Sequence, residues 1–322
     1  MIQKWLKWLK VLPAAIFAVM TLAGCENYVV LQPKGPVAKK EYDLIVFSAI
    51  VCLAIILVVF ALLFYIIWRY RDKPDNKAPY QPEWDDNKTL EIVWWSIPIV
   101  ICLILGYSTA KTTFALAKGT DLHDSDKQPV TIQATSLDWK WLFTYPDDKV
   151  ASVNEVVIPA GVPVKFELTS DAPMNSFWVP ALGGQIYTMP GMSMGLFLKA
   201  DKPGVYYGTG ANFSGEGFAH MKFKVIAKPE NEYEQWVNQV KKSSPALTEN
   251  GYEKLSKPGL TDIAFYSSYP NGLFEKIVKK NGGDFYKMHH MDTYKTHPDF
   301  GKDSKQDGNG DSNMNMDMDM SH

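Results

Sequence analysis

The run Leu44-Ile45-Val46-Phe47-Ser48-Ala49-Ile50-Val51-Cys52-Leu53-Ala54-Ile55-Ile56-Leu57-Val58-Val59-Phe60-Ala61-Leu62-Leu63-Phe64-Tyr65-Ile66-Ile67-Trp68 contains no charged side chain. About 20 such residues carry an α-helix through a hydrocarbon core ~30 Å thick. A second charge-free run, Ile92 to Ala110, meets the same criterion. Pro98 inside it reads as a kink without chemistry, because membrane helices tolerate proline where neighbours satisfy the freed carbonyl. The two runs form a helical hairpin and concentrate apolarity in the first part of the chain. At 322 residues, 46% apolar and 21% charged, the composition looks average only because a polar second part dilutes that concentration. A purely soluble protein is excluded. Lys and Arg number 33 against 35 Asp and Glu, leaving a net charge of -2, so nothing points to nucleic acid.

Upstream, Lys4, Lys7 and Lys10 precede a short apolar stretch, Val11 to Leu22. Its helical rise of about 18 Å is too small to span, and it reads as the core of a signal peptide. Leu22-Ala23-Gly24-Cys25 resembles the lipobox of bacterial lipoproteins, in which the Cys accepts a diacylglyceryl group and the chain is cut just before it. The alternative is an ordinary signal peptide with a chance Cys. Residues 1–25 are thus expected to be a lipoprotein signal with Cys25 as the lipid attachment site. Arg69, Arg71, Lys73 and Lys77 follow the first run and favour a cytoplasmic loop, although Lys34, Lys39 and Lys40 make the asymmetry modest. A lipidated Cys25 lies outside and fixes the direction. Residues 26–118 then form a transmembrane hairpin with helices at about 44–68 and 92–116. The expected location is the bacterial cell membrane, crossed twice and lipid-anchored, with the large domain on the extracytoplasmic side.

Beyond Asp121 the apolar runs shorten. Val130 to Thr135, Val156 to Ile158, Val162 to Leu168, Met194 to Leu198, Val205 to Tyr207 and Met221 to Ile226 read as strands. Turn signals such as Pro159-Ala160-Gly161 and Asp201-Lys202-Pro203-Gly204 separate them, suggesting an antiparallel sandwich over residues 119–229. Asn231 to Lys242 and Leu273 to Lys280 have helical spacing, which makes 230–300 a helical C-terminal extension. Residues 301–322 are rich in Asp, Asn, Ser, Gly and Met and are expected to be a disordered tail.

Three stretches together resemble subunit II of the haem–copper respiratory oxidases. They are Thr89-Leu90-Glu91-Ile92-Val93-Trp94-Trp95-Ser96-Ile97-Pro98, then Trp139-Lys140-Trp141-Leu142-Phe143-Thr144-Tyr145-Pro146, and Asn175-Ser176-Phe177-Trp178-Val179-Pro180-Ala181-Leu182-Gly183-Gly184 with Lys199 to Gly208. The resemblance covers about residues 40 to 280 and implies a cupredoxin-like Greek-key barrel outside the membrane. In the cytochrome c oxidase branch that domain holds a two-copper centre. Its ligands are a His before Ser-Phe, a Cys-x-x-x-Cys pair, a second His, a Met and a backbone carbonyl. Here Asn175 stands at the first His, Gly210 and Ser214 at the two Cys, Phe218 at the second His and Asn212 at the carbonyl donor. Met221 alone is retained. Copper centres of this kind need soft thiolates, and the three cysteines, Cys25, Cys52 and Cys102, all lie ahead of the exported domain. His220 is expected on a strand, facing opposite to Met221, and Met221 is expected to be a core residue.

A copper-free subunit II is what the quinol oxidase branch has, and Tyr252-Glu253-Lys254-Leu255 through Ile263 to Val278 resembles that branch's extra C-terminal region. The lipobox and Met-rich tail lean towards the menaquinol-using enzymes of Bacillus-like bacteria. The resemblance implies a non-catalytic subunit of a complex that oxidises quinol, reduces oxygen to water and moves protons outward. It implies no cofactor in this chain, with haems and copper in subunit I. The implied partners are subunit I, other small membrane subunits, membrane lipid and, through the complex, quinol.

Glu91 matches the family's carboxylate at the entrance of a proton channel; the alternative is a helix N-terminal carboxylate favoured by the macrodipole. Trp139, Trp141, Phe143 and Tyr145 alternate along one strand and read as packing, the alternative being a place near an electron path. Met288 to Met291, with His289 and His290, and the tail Met314 to His322 offer thioethers and imidazoles, though polar low-complexity tails are ordinarily solvated ends. Two rivals stay open: a cytochrome c oxidase subunit II with atypical copper ligands, and a surface lipoprotein that binds a partner or metal.

Overall fold

The computed structural model describes residues 28–74, 76–79, 82–118 and 128–283. The segment expected to be a signal, with Cys25, the His289–His290 pair and the Met-rich tail lie outside the described residues. The first helix, α1 (Pro36–Arg69), starts with Pro at its first turn, where a missing N–H costs nothing. It begins two turns before the charge-free run because those turns belong to the exported domain rather than to the membrane. Lys34 N–H donates to the Ala181 carbonyl at 2.8 Å and Ala38 N–H to that of Leu182 at 3.1 Å. Glu41 Oε1 accepts the Gly184 N–H at 2.9 Å, and Val37 and Ala38 are buried. The second helix, α2 (Lys88–Lys118), also starts a turn early, since Asn87 Oδ1 accepts the Leu90 N–H at 3.0 Å as an N-cap. Pro98 lies within it. Both helices are long and apolar enough to cross a membrane.

Among the described residues eleven strands follow, in two sheets. One takes the order β11-β3-β2-β1-β5-β8, built from β1 (Val130–Leu137), β2 (Lys140–Tyr145), β3 (Val150–Val153), β5 (Val164–Ser170), β8 (Met194–Leu198) and β11 (Ala264–Tyr266). The other runs β4-β10-β9-β6-β7, from β4 (Glu155–Pro159), β6 (Asn175–Trp178), β7 (Ile186–Thr188), β9 (Gly204–Gly210) and β10 (Lys222–Lys228). The sandwich is not wholly antiparallel, as its strand pattern suggested: β1 pairs β5 and β4 pairs β10 in parallel. The reason is a corner. Between β3 and β4 the chain turns at Asn154, with φ 57°, and passes from one sheet to the other. Asn154 fixes that corner with its side chain, accepting the Trp141 N–H at 2.9 Å and donating to the Thr261 carbonyl at 2.6 Å.

The inner faces meet in one core. Trp141, Phe143, Phe166, Phe177 and Phe223 pack ring against ring within it, Trp141 and Phe177 edge to face at 5.4 Å. The C-terminal segment covers the open side with α3 (Glu230–Ser243), α4 (Glu249–Leu255) and α5 (Leu273–Lys280). It is not purely helical, because β11 adds an outer strand beside β3. A second apolar cluster, including Leu142, Leu247, Tyr252, Leu255 and Ile277, lies beneath it.

Candidate functional site

The positions singled out by resemblance come together at one end of the five-stranded sheet. Asn175 opens β6, Gly210 closes β9, Asn212 and Ser214 follow in the loop, and Met221 directly precedes β10. Asn175 is fully buried and at the centre of the group. Its Nδ2 donates to Ser214 Oγ at 2.9 Å and to Met221 Sδ at 2.9 Å. Its Oδ1 accepts the Ser176 N–H at 2.7 Å and the Asn212 N–H at 3.4 Å. Gly210 N–H donates to the Met221 carbonyl at 2.9 Å. A Cβ on Gly210 would stand 2.8 Å from Asn175 Oδ1, so glycine is what lets the amide fill this space. Met221 is buried, as expected of a core residue.

Phe218 sets its ring edge to face on Phe213, 5.7 Å between centroids. One position differs from its reading. His220 is on no strand: Phe218–His220 forms a 3-10 turn that leaves His220 exposed. Strand alternation therefore does not govern how it sits beside Met221.

The aromatic series divides as well. Trp141, Phe143 and Tyr145 are buried in the core, as packing requires. Trp139 leaves their face because it occupies the turn between β1 and β2, with φ 67°. Its indole instead covers the loop after β9, donating to the Ser214 carbonyl at 3.0 Å. A Cβ on Gly217 would run into that indole, so the loop lies flat beneath it only with glycine there. No local pattern marks this contact, which joins residues 75 positions apart.

The donor set decides what the group can bind. It offers an amide, a hydroxyl, a thioether and backbone groups, and the amide already hydrogen-bonds the other two. A two-copper centre needs thiolate and imidazole, and these residues do not fit one. Cys52 and Cys102 lie on α1 and α2. Among the described residues no cluster of His, Cys, Asp or Glu could hold a metal ion. Glu91 is far from this group in kind as well as in chain position: it sits exposed in the first turn of α2, its N–H on the Asn87 carbonyl at 3.0 Å.

Other charged groups tie the C-terminal segment to the sandwich and went unseen in the sequence. Lys140 is buried, and its ammonium donates to the Lys257 and Gly259 carbonyls, both at 2.8 Å. Desolvation pulls its pKa below the usual lysine range, with Asp138 opposing. Asp171, at the end of β5, collects Tyr252, Lys280 and Asn281.

A two-helix anchor carrying a cupredoxin-like sandwich outside the membrane, with a further C-terminal cover, defines the class of terminal-oxidase subunits II. Family models agree segment by segment. The transmembrane domain of Cytochrome C oxidase subunit II matches residues 31–110, its periplasmic domain 148–228, and the COX Aromatic Rich Motif 241–283. Quinol oxidase subunit 2 of Bacillus cereus is 48% identical over 252 residues, covering 78% of this chain and 86% of that protein. The Bacillus subtilis protein of the same name is 43% identical over 256 residues, with 79% of each chain covered. The cytochrome bo(3) ubiquinol oxidase subunit 2 of Pseudomonas putida is 41% identical over 266 residues, covering 82% and 84%. The chain belongs to the cytochrome c oxidase subunit II family, within its quinol oxidase subunit II group.

Proposed function

We propose that this chain is the copper-free subunit II of a quinol:oxygen oxidoreductase, and that it caps and anchors a subunit I holding the haems and copper. The observation that carries this is the amide of Asn175. With Ser214 and Met221 it joins positions that the family resemblance matches to copper ligands, and offers an amide, a hydroxyl and a thioether there. Without a redox centre in the exported domain, electrons from a soluble donor have no relay through it. A lipid-soluble quinol reaches the complex within the bilayer, each molecule giving two electrons and two protons, so two quinols reduce one oxygen molecule to water. The group of relatives named for quinol oxidation supports the same donor. Cys25 would carry the lipid that holds the chain's outer end to the membrane.

The test is a comparison of donors on the purified complex. Oxygen uptake is expected with a reduced quinol and not with reduced cytochrome c, and metal analysis of the subunit is expected to find no copper. Uptake driven by the soluble cytochrome would overturn the proposal.

Glu91 is assigned the proton entrance. An exposed carboxylate at the cytoplasmic mouth of α2 can pass protons from water to a buried chain in subunit I. Glu91→Ala is expected to slow oxygen consumption several-fold while haem content and subunit ratio stay normal. A role confined to the helix dipole amounts to about 0.3–1 kcal/mol of stability and would leave turnover unchanged. Glu91→Asp, which keeps the carboxylate, is expected to recover most of the rate.

A further inference from the structure

Between the sandwich and its C-terminal cover lies a cavity of about 380 Å³, on the outer side of the six-stranded sheet. Its floor is Gln133, 7% exposed, and strand alternation turns this amide outward because Ile132 and Ala134 belong to the inner core. Gln133 donates one N–H to Glu167 Oε2 at 3.2 Å and accepts from Thr144 Oγ1 at 3.3 Å, which leaves its second N–H for the cavity. Lys149 lines the sandwich side, held in the turn after β2 with φ 60°. Ser268, Asn271 and Glu275 line the cover side, Glu275 from the first turn of α5. Among the described residues the side chains of Lys149, Ser268, Asn271 and Glu275 make no hydrogen bond or ion pair. Tyr269 completes the lining. Burial, then the charges of Glu275 and Asp147, pushes its pKa up to about 12, so its hydroxyl adds no second negative charge beside Glu275. Small-ligand sites are built this way, as cavities of roughly 300–1,000 Å³ in which a few polar groups converge.

We propose that this cavity binds a free α-amino acid as its zwitterion. The carboxylate accepts from Lys149 Nζ and from the second N–H of Gln133, both on the sandwich side. The ammonium donates to the Glu275 carboxylate and to the Asn271 amide oxygen, both on the cover side. The amino acid's own side chain rests against Pro146 and the Tyr269 ring, which line the same space. Charge selects the class. An anion alone would meet Lys149 but face the Glu275 carboxylate, and a cation alone would meet Glu275 but face Lys149. A sugar carries no charge for either. A ligand with both signs a few bonds apart satisfies the two together.

The experiment titrates the intact complex in detergent with L-leucine by isothermal titration calorimetry. Two relatives of leucine each lack one charge: 4-methylpentanoate has no ammonium, and 3-methylbutylamine has no carboxylate. Leucine is expected to bind about tenfold more tightly than either. Lys149→Gln should weaken leucine roughly fivefold without weakening 3-methylbutylamine, which has no carboxylate to lose. Glu275→Gln should weaken leucine by about the same factor without weakening 4-methylpentanoate. Haem content and oxygen uptake should stay at the wild-type level in both variants. If Glu275→Gln fails to assemble, Asn271→Ala, at an exposed position, reads the cover side with a loss of about threefold. An absence of saturable leucine binding at millimolar concentration would refute the proposal. Either singly charged relative binding as tightly as leucine would refute it too, as would equal leucine affinity in wild type and Lys149→Gln.

Discussion

A chain carrying Asn175→His, Gly210→Cys, Asn212→Glu, Ser214→Cys and Phe218→His is expected to bind about two copper ions, turn purple and absorb in the near infrared. The backbone already brings five of the six positions together, because Asn175 spans from Ser214 to Met221 at 2.9 Å each and takes the Asn212 N–H on its oxygen. What stands in the way is packing. The Cβ of Cys at 210 meets Asn175 Oδ1 at 2.8 Å and Cγ at 3.2 Å, so Gly210→Cys alone is expected to destabilise the domain by about 1–3 kcal/mol. Asn175→His removes that amide, and its imidazole needs a rotamer that clears the new Cβ. Phe218→His gives up the edge-to-face pair with Phe213 and frees the turn to swing towards Met221. Copper content, absorption and thermal melting of the full chain check the result. A folded quintuple variant that takes up no copper would mean that the match between these positions and the ligand set is wrong.

The hairpin was legible because membrane crossing depends on composition alone: any run without charge and of sufficient length must be satisfied by lipid or protein. Its edges were not. Charge marks where the hydrocarbon ends, at Leu44, whereas the helix continues outward to Pro36 through contacts with residues 181–184 that no local pattern encodes. Alternation and turns are local, so β1, β2, β4, β5, β8, β9 and β10 were readable, whereas the short β3, β6, β7 and β11 carry too little pattern and went unread. The parallel pairs β1·β5 and β4·β10 depend on which sheet a strand enters after a corner. At the candidate site the residue types were readable by resemblance. The hydrogen bonds that make Asn175 a plug, and the indole of Trp139 that covers the loop, join residues 39 and 75 positions apart. His220 shows the cost of assuming a strand where a short 3-10 turn intervenes.

Asp171→Ala is expected to loosen the C-terminal cover from the sandwich and lower stability by roughly 3 kcal/mol. The carboxylate is 2% exposed and accepts from Tyr252 OH at 2.7 Å, Asn281 Nδ2 at 3.0 Å and Lys280 Nζ at 2.9 Å. These donors come from α4, from the residue after α5 and from the last residue of α5, so one side chain holds two helices. Their shares are unequal. Lys280 is 63% exposed and returns to water when the carboxylate is lost, so Lys280→Gln should cost under ~1 kcal/mol. Tyr252 is buried, and burial, then its bond to Asp171, pushes its hydroxyl above the usual tyrosine range, which keeps it a protonated donor. Tyr252→Phe should therefore cost about 1.5–3 kcal/mol, the range for a hydrogen bond to a charged acceptor. Urea melting of the intact complex gives the ranking, and limited proteolysis between Ser256 and Ile263 reports whether α4 has come away. Losses of equal size for Lys280→Gln and Asp171→Ala would show that the exposed ion pair, and not the buried bonds to Tyr252 and Asn281, fastens the cover.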